Sequence, residues 1–161
     1  MTWTIIHWYC KHRDKTLPQV LFSDPDWFFF QIEKRHFEDK GHIREEAKDL
    51  DWKARNIRIP GGEEGNLVAE YHIEEQTGTF RNMVIVARDS ETEIGEIAVE
   101  RKGYIDLSYP RHYRKPDKIG CRILLWQLKF YYFGNSSYPM TKERCEAFFE
   151  NDDNFVIRRR S

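Results

Sequence analysis

The chain is poor in cysteine, with Cys10, Cys121 and Cys145 as its three. They lie far apart, are odd in number and form no Cys-x-x-Cys pair. That argues against a disulfide scaffold and a zinc knuckle and fits a reducing compartment. The chain also lacks an apolar run of the roughly 18–20 residues that a membrane span needs. Its longest, residues 123–133, is interrupted by Gln127 and Lys129. The N-terminal residues show neither a basic n-region nor a small-residue cleavage site. The expected location is therefore cytoplasmic, with no membrane partner. Net charge is nearly absent as well, −1 in total, so the molecule as a whole does not attract polyanions. No internal repeat and no low-complexity tract is present.

Common catalytic motifs are missing too. There is no His-Glu-x-x-His and no Gly-x-Ser-x-Gly. Residues 61–65 are glycine-rich, but they lack the lysine and serine or threonine of a phosphate loop. Glu63 and Glu64 would repel phosphate there. No cofactor is implied by any motif.

What the chain has is apolar and aromatic mass: 40% hydrophobic and 15% aromatic residues, enough for a packed core. Its charge is segregated. Residues 61–100 carry 2 basic and 10 acidic side chains, whereas residues 101–118 carry 6 basic and 2 acidic ones. Either region offers complementarity to a charged partner, in competition with plain solvated faces.

Residues 3–9, "WTIIHWY", are β-branched and aromatic and predict a strand. After the turn "CKHRDKT", residues 17–22 predict a short helix. Asp24 as N-cap, Pro25 at the first position and Asp26 in the first turn start another helix. Ile43, Ala47, Leu50 and Ala54 recur on one helical face. Residues 60–65 mark the boundary between an α-rich part, 1–60, and a β-rich part, 61–161, expected to form one compact unit.

The β-rich part reads as three antiparallel strands in consecutive order, with turns near residues 76–79 and 89–92. In that register Glu74, Arg81 and Glu100 form a cross-strand row. Leu67, Ala69, Tyr71, Ile73, Val84, Val86, Ile97 and Val99 share an apolar face. Residues 104–108 predict a fourth strand. A helix ending at Gly134 covers the apolar face, and another begins at Thr141 with Cys145, Phe148 and Phe149 as its stripe. The fold class is α+β: an antiparallel sheet of three to four strands covered on one face by helices, with a small strand-plus-helices N-terminal part.

For chemistry, Glu100-Arg101-Lys102 reproduces the Glu-x-Lys half of a metal-dependent nuclease pattern. Asp89, its obvious upstream partner, lies at the far end of the hairpin. His72 beside Glu70 and Glu74, facing Glu96, offers a divalent-metal cluster that an exposed polar sheet face also produces without metal. Binding has more support. "YPRHYRKPDK" interleaves tyrosines with Arg111, His112, Tyr113, Arg114, Lys115 and Lys118, a composition suited to phosphates and stacked bases. Arg158, Arg159 and Arg160 would extend it.

The segment "CKHRDKTLPQVLFSDPDWFFFQIE" resembles the small module found at the C-terminus of exodeoxyribonuclease X-like proteins and in short bacterial and phage proteins. In that pattern an apolar strand precedes Gly-Lys-(His/Tyr)-x-Gly-Lys-(Thr/Pro)-Leu and an Asp-Pro-x-(Tyr/Trp) helix. Lys11, His12, Lys15, Thr16, Leu17, Asp24, Pro25, Asp26 and Trp27 match it, whereas Cys10 and Asp14 replace the two glycines. The resemblance covers about the first 35 residues and implies association with nucleic-acid-processing proteins; it does not imply catalysis.

The expected function is a non-catalytic binding protein whose partner is nucleic acid or a nucleic-acid-processing complex. Its basic groups are Lys11, His12, Arg13 and Lys15, together with the 111–118 loop. The alternatives are a protein-interaction module and a nuclease around Glu100 and Lys102. The interaction module would be an inhibitor or adaptor of mobile-element type, using Trp27, Phe28, Glu70, Glu74 and Glu96.

Overall fold

The computed structural model describes residues 2–61, 65–92, 95 and 97–156. It has an α+β fold with two antiparallel sheets. Three helices come first: α1 (Leu17–Ser23), α2 (Pro25–Glu33) and α3 (His42–Ala54). Strand β1 (Ile57–Arg58) follows, then β2 (Leu67–Glu74), β3 (Phe80–Ala87), β4 (Ile97–Lys102) and β5 (Tyr104–Ile105). A short 3₁₀ segment, Tyr109–His112, leads into α4 (Lys118–Phe133), and α5 (Lys142–Glu150) packs near the end of the described chain. One cluster of buried apolar side chains runs from Trp3 to Phe155, drawing on the α-rich and the β-rich parts alike.

The helix boundaries follow their local signals. Asp24 accepts the Trp27 amide at 3.3 Å and Pro25 opens α2, while Thr16 and Gln19 form a capping box at α1. Asp117 caps α4 through the Gly120 amide at 2.8 Å, and a Cβ at position 120 would collide with that carboxylate. Gly134 ends α4 in the left-handed region, φ +74°, where glycine carries no steric cost. Thr141 caps α5 through the Arg144 amide, and Cys145, Phe148 and Phe149 are buried.

Three expectations about the β structure need correction. Residues 3–9 form no strand. The Thr4 amide and hydroxyl donate to the Glu46 carboxylate of α3, so the segment is tied to a helix, not to a ladder. Its regular backbone bonds reduce to one pair, Ile6 N–H to Lys15 O and Asp14 N–H to Ile6 O, each 2.9 Å. Trp3 and Ile6 still enter the core.

Second, the strand order is β3-β2-β4, with β2 in the centre. Glu100 lies opposite Tyr71, and Glu74 opposite Ile97, so no Glu74–Arg81–Glu100 row exists. Only its first pair forms, Arg81 to Glu74 at 3.3 Å. A bulge between His72 and Ile73 leaves Arg81 as the extra residue on β3 and shifts the pairing by one. Met83 and Ile85 therefore join Ala69, Tyr71 and Ile73 on the core face, whereas Val84 and Val86 turn to the other face with Val68 and Glu70. Third, β5 pairs with β1 in a separate two-stranded sheet, not with β4. Tyr109 of the 3₁₀ segment stacks on Tyr71, with ring centroids 4.0 Å apart. Helix α4 packs on β3, whose outer edge is partly satisfied by the Tyr131 hydroxyl accepting the Ile85 amide at 3.0 Å. No helix among the described residues is long and apolar enough to cross a membrane.

Candidate functional site: a charged cleft between the first turn and helix α4

The turn at residues 11–14 is held shut by its own backbone. Arg13 N–H reaches Cys10 O, and Lys15 N–H reaches His12 O, both at 3.2 Å. Asp14 sits at φ +74°, a conformation that glycine adopts freely and aspartate tolerates better than most residues. This fold-back sets Lys11 and His12 over the junction of α1 and α2, which is Asp24. One Asp24 oxygen takes Lys11 Nζ at 2.7 Å and His12 Nε2 at 3.0 Å. The other takes Lys118 Nζ at 3.1 Å together with the Trp27 amide. Burial pushes the Asp24 carboxyl up, but the hydrogen bonds from His12, Lys11 and Lys118 outweigh it and hold the group far below the usual carboxylate range.

Asp26, in the first turn of α2, anchors the far wall. It accepts Arg111 at 2.5 Å and the Asp117 amide at 3.0 Å, and it faces Lys118 at 3.4 Å. Arg111 also forks onto Glu33 through Nε at 3.1 Å and a terminal nitrogen at 2.9 Å. Between these walls lies a cleft of about 300 Å³. It is lined by Lys11, His12 and Lys15 from the turn, Asp24 and Asp26 from α2, and Lys118, Cys121 and Arg122 from α4. Four cations thus face two carboxylates, and Asp26 is already balanced by Arg111. The surplus charge is positive. Lys11 and Lys118 are half exposed despite their pairing. Lys15 and Arg122 make no ion pair among the described residues. Burial pushes the Cys121 thiol well above its ordinary value, so it stays protonated and offers no thiolate nucleophile.

The structure distributes the other expected residues unevenly. Arg111 is a correction: it is only 3% exposed, and Asp26 and Glu33 take up its guanidinium, so it is not a free anion contact. His12 is likewise buried on Asp24, against the edge of Trp27. Arg13, Arg114, Lys115 and His112 are exposed, with Lys115 3.4 Å from Glu33 and His112 3.6 Å from Asp106. Tyr113 is exposed, and its hydroxyl donates to Glu100 at 3.2 Å. Glu100 also pairs with Lys102 at 3.4 Å. No group of three His, Cys, Asp or Glu among the described residues is placed to hold a metal ion.

Phe28, expected as a surface anchor, is fully buried, and Trp27 is partly buried against the core. Glu70 is also a correction, because it is buried and closed off. His72 bonds it at 2.7 Å, Thr92 at 2.7 Å and Arg101 at 2.9 Å. Its carboxylate is thus taken up by protein donors. Glu74 pairs with Arg81. Glu96 and Arg158, Arg159 and Arg160 lie outside the described residues.

Asp24, Asp26, Glu33 and Arg122 were missed as site residues. For Arg122 a signal existed: it follows Lys118 by four positions, one turn along the same helix face. No protein-family model, no curated protein and no solved structure matches this chain.

Proposed function

We propose that the protein binds nucleic acid by its phosphates, in the cleft between the 11–15 turn and the start of α4. One observation carries this. Lys11 and Lys118, from distant parts of the chain, converge on the two oxygens of the single Asp24 carboxylate; Lys15 and Arg122, which make no ion pair among the described residues, lie beside them. Long cationic side chains are thereby held in place before any ligand arrives, which lowers the ordering cost of binding an anion. The cations outnumber the acids, so a phosphate gains net attraction. The groups that could do chemistry there are occupied or protonated: Asp24 takes four donors, and Cys121 stays a thiol.

The resemblance of the first 35 residues to a module of nucleic-acid-processing proteins agrees with this reading. The left-handed φ of Asp14 falls where that module carries glycine, so the backbone keeps the shape that glycine would allow.

The test is fluorescence anisotropy with labelled oligonucleotides across a salt series. If the four cleft cations each take a phosphate, log K falls against log salt with a slope of about −3 to −4. Lys118→Ala and Arg122→Ala should each reduce that slope by about one. Absence of binding at low salt, or a slope indifferent to both substitutions, rules the cleft out.

A further inference from the structure

Helix α4 does not end its exposed chemistry at the cleft. At about 100° per residue, Lys118, Lys129 and Arg122 fall along one edge of its outer face. Trp126, Ile119 and Phe130 fall beside them, toward the other edge. The buried residues Cys121, Leu124, Leu125 and Leu128 occupy the opposite side. Ile119 is 70% exposed, Trp126 48% and Phe130 51%. This is a continuous apolar stripe with a cationic border, and residues 118–133 contain no acidic side chain at all.

The charge says what kind of molecule covers it. A second copy of α4 laid across the stripe would bring cations against cations, with no acid on either helix to offset them. The cationic border favours an anionic occupant. That occupant also presents flat apolar surface. Five of the eight large hydrophobic side chains exposed among the described residues are aromatic: Tyr9, Phe30, Tyr113, Trp126 and Phe130. Each stands within four positions of a lysine or arginine in sequence. Tyr9, 94% exposed, directly precedes the turn that carries Lys11. Exposed aromatic rings bordered by cations are what a strand with free bases needs: phosphate neutralisation with stacking, and no requirement for a groove. A duplex keeps its base faces inside and cannot use the rings.

Resting on the phosphate-binding reading of the cleft, we infer that the ligand is single-stranded nucleic acid. Its backbone enters at Lys11, Lys15, Lys118 and Arg122, and its next bases stack on Trp126 and Phe130. Trp126 lies about 12 Å along the helix axis from Lys118, and Phe130 about 6 Å further, at 1.5 Å per residue.

Anisotropy of labelled poly-dT and of a mixed-sequence duplex, each across a salt series, tests this with the full chain. The wild type is expected to bind the single strand at least about tenfold more tightly than the duplex. Loss of one stacking ring weakens single-strand binding by about 5- to 150-fold. Trp126→Ala should show this loss with the salt slope retained, and Trp126→Phe should recover most of it. Phe130→Ala, an exposed position that leaves the core intact, should give an independent loss of the same kind. Equal binding of strand and duplex, with Trp126→Ala and Phe130→Ala both silent, overturns the stacking inference. In that case a salt slope still sensitive to Arg122→Ala keeps the phosphate reading. Failure of every oligonucleotide at low salt removes both. Polyglutamate bound as tightly as poly-dT, through Trp126, overturns the inference in favour of an acidic protein partner.

Discussion

The cleft around Asp24 and the outer face of the sheet around Glu70 use one device, a carboxylate withdrawn from water and surrounded by donors, to opposite effect. Glu70 is almost wholly buried, and its partners His72, Thr92 and Arg101 lie on its own sheet or on the loop that leaves β3. The charges nearly cancel, and the loop is pinned. Asp24 instead draws Lys11 from the first turn and Lys118 from α4, both half exposed, with Lys15 and Arg122 left over. A balanced cluster closes a surface, whereas a cluster with surplus cations at its rim prepares one for an anion. Sequence composition does not separate the two, because both regions mix acids, histidine and cations.

The sharpest way to break the comparison is to remove the cation that pairs with Asp26 at the far wall of the cleft. Arg111 and Asp26 are both about 96–97% withdrawn from solvent. Arg111→Ala leaves the buried Asp26 carboxyl with only Lys118 and the Asp117 amide as partners, and losing one member of a buried ion pair costs about 3–5 kcal/mol. For a chain of this size that lowers Tm by about 6–20 °C, which a thermal melt reads directly. Arg111→Lys should recover only part of it, since a lysine cannot fork between two carboxylates. If Arg111→Ala melts like the wild type, the guanidinium is not buried and the far wall of the cleft has no such anchor.

Acid separates the clusters less violently. Burial alone would push both Asp24 and Glu70 up, yet their hydrogen-bonded cations and hydroxyls hold both below the ordinary carboxylate range. The unfolded chain then binds more protons than the folded one as pH falls through about 4. The stability these groups confer is complete above that range and drains away below it. Glu70→Gln strips His72, Thr92 and Arg101 of their anion and should cost about 2 kcal/mol at neutral pH. It should also flatten the acid limb of a pH series of urea melts. A variant whose acid limb matches the wild type would show that Glu70 is not held charged by its neighbours.

How much of this was legible depended on the range of the interaction. Local chemistry was readable: Asp24-Pro25 starts α2, Gly134 ends α4 and Thr141 starts α5. The three strands were readable as segments, but not their neighbours. A turn signal near residue 90 says that the chain reverses, not that β4 passes to the far side of β2. The face of β3 was unreadable for a different reason. Met83, Val84, Ile85 and Val86 are apolar at both parities, so the single extra residue at Arg81 left no mark in the alternation. Residues 3–9 have strand composition, but a strand exists only through its partner, and Glu46 takes the Thr4 amide instead. At the site, Lys11, Lys15 and Lys118 were visible as cations. The carboxylate that gathers Lys11 and Lys118 was visible only as a helix cap. Arg111 was misread because a basic, proline-flanked loop looks solvated until the structure shows Asp26 and Glu33 waiting beneath it.

The smallest expected effect bears on the turn itself. Asp14 is exposed, holds φ +74° and places a carboxylate among Lys11, Arg13 and Lys15. Glycine there relieves a left-handed strain of at most about 1–2 kcal/mol. It also restores backbone freedom to the unfolded chain, worth about 0.5–1 kcal/mol in the opposite sense. Asp14→Gly should therefore change stability by less than about 1 kcal/mol. It removes a repulsive charge, a gain of the size of an exposed ion pair, or about two- to fivefold in oligonucleotide affinity. Asp14→Val keeps the strain, adds a β-branched side chain in the left-handed region and should lose stability. Melting and anisotropy on the two variants read both effects. A tolerated valine with a destabilising glycine would mean that position 14 is not left-handed. The turn that carries Lys11 over Asp24 would then have a different shape, and the contrast with Glu70 would lose its first member.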